Sequence, residues 1–87
     1  MEAATLAIVL RATADRLTAM HPDAAMSASV LRTEVQLSVW DHHGVYNNAT
    51  VGRDINSALT AVAGLPLTGT RSLYALRLRE QLGAVTH

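Results

Sequence analysis

The apolar pattern predicts a small α+β domain: a helix, one long strand or a hairpin in its place, a second helix and a closing strand. Three observations carry this expectation. Apolar residues recur at three- and four-residue spacing near the N-terminus and again beyond residue 50, the period of a helix with one buried face. Between these stretches Val35, Leu37 and Val39 alternate with Gln36, Ser38 and Trp40, the period of a strand. The third observation is size. A chain of 87 residues holds one domain, spanning 1–87, and a domain near this size buries somewhat over ~60% of the surface its unfolded chain exposes.

The first helix is predicted from about Ala3 to Met20. Leu6, Val9, Leu10, Thr13, Leu17 and Met20 form its apolar stripe, with Arg11, Asp15 and Thr18 opposite. His21-Pro22 stops it, because proline lacks a backbone N–H and disfavours helical geometry in the residue before it. His21 is placed to meet the last carbonyls of this helix, where positive charge is favoured. Ile8 falls on the polar side, and with Ala12 and Ala19 it could seed a second contact surface.

Leu31, Thr33, Val35, Leu37 and Val39 then continue one alternation, so the strand is expected to begin as early as Ser29 and run to Asp41. Arg32-Thr33 lacks the Gly, Asn or Asp of a tight hairpin turn, which favours one long strand over two short ones. Gly44 to Asn48 carries turn residues and is expected to be a loop. From Thr50 to Ala63 the second helix presents Val51, Ile55, Leu59 and Val62 on one face, with Asp54 a candidate N-cap and Gly64 at its C-terminal end. The last segment fits both periods. As a strand, Ser72 to Arg79 places Tyr74, Leu76 and Leu78 together. As a helix, Arg71 to Leu82 aligns Tyr74, Leu78 and Leu82. The strand reading is preferred, and because a lone strand leaves its edges unpaired, a homodimer completes the sheet. Val35, Leu37, Val39, Trp40 and Tyr74 are then the candidate interface residues, although a helix of the same chain could cover Trp40 instead.

Composition excludes several functions. Without cysteine there is no disulfide, thiol nucleophile or thiolate metal site. The LAIVL run at residues 6–10 is too short to span a membrane and has neither the basic region nor the layout of a signal peptide, so a cytoplasmic location is expected. A formal net charge of zero points to neither nucleic acid nor an anionic membrane. All seven basic side chains are arginine, which with the abundant alanine reads as the codon usage of a GC-rich genome.

Three constellations could carry chemistry. Asp41, His42 and His43 offer two imidazoles and a carboxylate, a conceivable ligand set for Zn²⁺. On a strand, however, adjacent histidines face opposite ways, and the HxH, HxxxH and HExxH spacings are absent. Ser38 or Ser72 with a histidine and an aspartate could be a hydrolytic triad, but no GxSxG elbow supports it. Arg71, Arg77 and Arg79 make a basic edge suited to nucleic acid, with Tyr74 on the opposite face of the strand and unable to add stacking. No cofactor is implied.

The stretches LRATADRLTAMHPDAAM (10–26), VQLSVWD (35–41) and ALTAVAGLPLTG (58–69) resemble small proteins of actinobacterial plasmids and phages. These share an Ala-rich opening helix ending in HPD, a strand ending in Trp, and a second helix leading through Gly-Leu-Pro into another strand. The resemblance implies a mobile-element accessory protein and brings no catalytic residues. The function expected is therefore a non-enzymatic interaction module, binding itself or another protein. A small nucleic-acid-binding regulator is the alternative, and a metal-dependent enzyme using Asp41, His42 and His43 the third.

Overall fold

In the computed structural model, which describes residues 2–44 and 49–85, the side chains of 84 and 85 excepted, the chain is four helices. They are α1 (Ala3–Ala19), α2 (Ala28–His43), α3 (Ala49–Ala61) and α4 (Arg71–Val85). This overturns the α+β expectation: both predicted strands are helical, and among the described residues the β structure is a lone bridge between Ala25 and Thr70.

The reason lies in the caps and in which residues are buried. Ser27 precedes α2 in extended geometry and its Oγ accepts from the N–H of Val30, while Gly44 ends the helix at φ 71° with its N–H bonded to Trp40 O. Both are standard helix boundary devices. Between them Leu31, Val35, Ser38 and Val39 are buried, spaced four, three and one apart, whereas Thr33 is exposed and Leu37 half-buried. The β-branched residues cost a helix at most ~0.7 kcal/mol each. Burying a Val or Leu side chain contributes ~1.5–3 kcal/mol, so the core decides. In α4 the helical alternative is the one realised, with Tyr74, Ala75, Leu78 and Leu82 buried. Thr70 caps it, its Oγ1 accepting from the N–H of Leu73, and the helix continues through Gly83 to Val85.

The two predicted helices stand with shifted ends. α1 stops at Ala19, which leaves Met20 extended and exposed rather than in the stripe. His21 follows in the left-handed region at φ 52° with an exposed side chain, so it does not cap the helix as expected. Asp54 sits inside α3 and not at its start. Val45 to Asn48 of the expected loop lie outside the described residues.

α1 is the central element, packed against α2 on one flank and α4 on the other, while α3 packs mainly against α2. Thr13 meets Ser38 and Arg16 meets Glu34, so α2 runs antiparallel to α1. Asp15 meets Arg79, and Arg11 shares a groove with Arg79 and Gly83, so α4 is antiparallel to α1 as well. Backbone hydrogen bonds join the two long connections: Met26 N–H to Gly69 O at 3.0 Å, Arg71 N–H to Ala24 O at 2.9 Å and Ser72 N–H to Pro22 O at 2.9 Å. The last two satisfy the first donors of α4, which a helix start otherwise leaves orphaned.

Candidate functional site

Because 41, 42 and 43 are successive residues of a helix, they point about 100° apart rather than toward one centre. Asp41 is exposed and accepts from Arg16 Nη1 at 3.2 Å. His42 is exposed, its ring edge-on to that of His43 at 5.3 Å between centroids. His43 turns inward, and its Nε2 donates to Asp54 Oδ2 at 2.5 Å across the α2–α3 contact. The metal expectation is not met: among the described residues no three His, Cys, Asp or Glu side chains are placed to hold an ion.

The His43–Asp54 pair is the feature that sequence reasoning missed. Its signal was the Ser27 and Gly44 caps, which fix 28–43 as a helix and thereby put His43 in the last turn of α2. A His–Asp pair becomes a general base only when a hydroxyl or water site lies within reach of the imidazole. Among the described residues Asp54 is the one hydrogen-bond partner of His43. Ser38, the nucleophile of the hydrolase expectation, is buried between α1 and α2, donating to Glu34 O at 2.9 Å and lying 3.1 Å from Thr13 Oγ1. These hydroxyls close a packed helix contact and face no cleft. Thr13 Oγ1 is also 2.9 Å from Val9 O, so its single proton serves one acceptor at a time.

The candidate interface residues divide. Val35, Val39 and Tyr74 lie in the core, not on a surface. Leu37 and Trp40 are half-buried, Trp40 packed against the core, and Leu37 lining a groove with Arg16, Met20, Glu34 and Arg71. Tyr74 is buried, its hydroxyl has no hydrogen-bond partner among the described residues, and this desolvation raises its pKa above 10.0.

The three arginines of the basic edge also separate. Arg77 Nη1 donates to the carbonyls of Pro66 at 3.1 Å and Thr68 at 2.6 Å, holding the α3–α4 connection. Arg79 Nη2 donates to Asp15 Oδ1 at 2.8 Å. Arg71 reaches the groove between α1 and α2, its Nε buried without an acceptor among the described residues. No continuous basic stripe results. Comparison with protein families, with curated proteins and with solved structures finds no match to the chain.

Proposed function

We propose that this chain is a non-enzymatic accessory module that works in the cytoplasm by binding protein, a second copy of itself included. The carrying observation is the placement of its exposed large apolar side chains. Ile8 is 52% exposed on α1, Met20 66% exposed just beyond it, and Leu73 and Leu76 are 40% and 52% exposed on α4. In a chain this small, exposed apolar side chains on the outward sides of two neighbouring helices suit association. The polar clusters support the same reading from the other side. Arg16, Glu34, Asp41, His43, Asp54, Asp15 and Arg79 are engaged with one another inside the chain, which leaves no set of converging catalytic groups. No helix among the described residues is long and apolar enough to cross a membrane. The resemblance of residues 10–26, 35–41 and 58–69 to actinobacterial plasmid and phage proteins supplies the accessory role.

Light scattering on the purified chain tests the proposal. A mass that rises above the 9.3 kDa of one chain as concentration reaches high micromolar is the expected result. A monomer throughout, combined with salt-sensitive retention on heparin, overturns it in favour of nucleic-acid binding.

A further inference from the structure

We infer that the groove between the end of α1 and the middle of α2 binds a monocarboxylate with a short aliphatic body, with Arg71 as its counterion. The site stands whether or not the chain self-associates. The groove has a volume of about 290 Å³ and is lined by Arg16, Ala19, Met20, Glu34, Leu37 and Arg71. The seven arginines of the chain sort by their surroundings. Arg16, Arg77 and Arg79 are engaged by carboxylates or carbonyls of the chain itself. Arg11, Arg32 and Arg53 are exposed, where water solvates them. Arg71 alone is half-buried with no side-chain hydrogen bond or ion pair among the described residues.

The Arg71 Nε is enclosed without an acceptor. One edge of the guanidinium has therefore given up water and gained nothing, which is costly for any buried donor and more so on a charged group. The Nη edge is not enclosed and is the side a ligand can reach. Its position is set by the backbone, where Arg71 N–H donates to Ala24 O at 2.9 Å and a bridge joins Ala25 to Thr70. An anion there restores the counter-charge that partial burial has weakened, and paired guanidinium donors match the two oxygens of a carboxylate.

The neighbours select which anion. Arg16 Nε and Glu34 Oε2 pair at 3.0 Å, and Asp41, which does not line the groove, accepts from Arg16 Nη1 at 3.2 Å. The groove itself thus keeps one uncompensated charge, that of Arg71. A monoanion balances it, whereas a phosphate dianion brings a surplus against the Glu34 carboxylate. Ala19, Met20 and Leu37 supply apolar walls, with Met20 66% exposed, so an aliphatic body placed there removes apolar surface from water on both sides. A volume near the ~300 Å³ lower bound of ligand pockets limits that body to a short one.

NMR titration of the ¹⁵N-labelled full chain with isovalerate tests the site. Shifts confined to Ala19, Met20, Leu37 and the Arg71 Nε–H are expected, saturating with a dissociation constant of ~1–10 mM for so small a ligand. Isoamyl alcohol, which keeps the body without the charge, and acetate, which keeps the charge without the body, are both expected to bind more weakly. Arg71→Gln should raise the isovalerate dissociation constant at least ~10-fold, the worth of a charged hydrogen bond. Circular dichroism checks that the variant is folded, and Leu37→Ala, expected to weaken binding several-fold, gives a second variant. A short peptide ending in leucine, as free acid and as amide, distinguishes the source. Tighter binding of the acid peptide than of isovalerate assigns the carboxylate to a chain end, and the reverse assigns it to a free acid. Equal binding of isovalerate and isoamyl alcohol, an Arg71→Gln variant that binds as well as wild type, or shifts lying outside the groove overturns the inference.

Discussion

Replacing Tyr74 by phenylalanine is expected to stabilise the protein. Tyr74 is wholly enclosed, and its hydroxyl has no hydrogen-bond partner among the described residues. In water that hydroxyl is solvated, so folding strips its hydrogen bonds and returns none, at a cost of ~1–3 kcal/mol for an unsatisfied buried group. Phenylalanine keeps the ring and its packing while removing the orphaned donor. The void left by one oxygen offsets part of the gain, at about 0.5–1 kcal/mol. The net expectation is stabilisation of ~0.5–2 kcal/mol. For a domain of this size each kcal/mol moves Tm by ~4–8 °C. Urea denaturation followed by circular dichroism measures the change, with the slope m unchanged because the surface exposed on unfolding is nearly the same. The difference should also grow in alkali. Burial raises the Tyr74 pKa above 10.0, so the folded state holds the phenolic proton where the unfolded chain releases it. Stability linked to this group is complete below pH 10 and is lost as pH rises from there through the folded value. Tyr74→Phe escapes that loss. Destabilisation by more than ~1 kcal/mol at neutral pH would show that the hydroxyl has a partner, and would refute the reasoning.

Five further substitutions probe other parts of the fold. Gly69 stands at φ 97°, and a Cβ built there falls 2.7 Å from Leu73 Cδ2; Gly69→Ala should cost ~1–2 kcal/mol. Gly52 is helical, with open space where its Cβ would go, so Gly52→Ala should stabilise by ~0.5–1 kcal/mol. Opposite signs in urea melts are the check. Asp54→Ala removes the acceptor of half-buried His43 and should destabilise by ~1–2 kcal/mol in the same assay. Thr13→Val and Ser38→Ala, singly and together, should show a coupling of ~0.5–1 kcal/mol in a double-mutant cycle, and additivity within error would mean that the two hydroxyls do not interact.

The helix periods of α1 and α3 were legible because their apolar residues fit one period and no other. Residues 28–43 were not, because Val35, Leu37 and Val39 satisfy a strand while Leu31, Val35 and Val39 satisfy a helix. The tie is broken by Ser38, whose side chain looks polar but is buried against Thr13, a pairing that no local pattern announces. Ser27 and Gly44, the caps of α2, are local signals that favour the helix over the strand. The same ambiguity in the last segment was resolved by Thr70, whose capping role depends on a bridge to Ala25 from a distant connection. Val35, Val39 and Tyr74, three of the five candidate interface residues of the strand reading, lie in the core instead, because exchanging a sheet for a helix bundle turned that surface into an interior.

That exchange also relocates where function can reside. In the strand reading Asp41, His42 and His43 stood at the end of the strand as a candidate ligand set, and the shared surface lay along Val35, Leu37 and Val39. In the helical fold Asp41 balances Arg16, and His43 ties α2 to α3 through Asp54, so the groups that looked reactive hold helices in register. The residues that looked incidental gain weight by the same argument. Ile8, Ala12 and Ala19 fit no core stripe, and in the structure this is because α1 is flanked by α2 and α4 and keeps its third side free. The outer side of this central helix carries an exposed isoleucine and three alanines, and it joins Met20 beyond α1 and Leu73 and Leu76 on α4 as exposed apolar surface. Selection for folding alone would favour lysine or glutamate at position 8, since polar helix formers there would cost the core nothing. An exposed apolar residue at that position accords with the association proposed above.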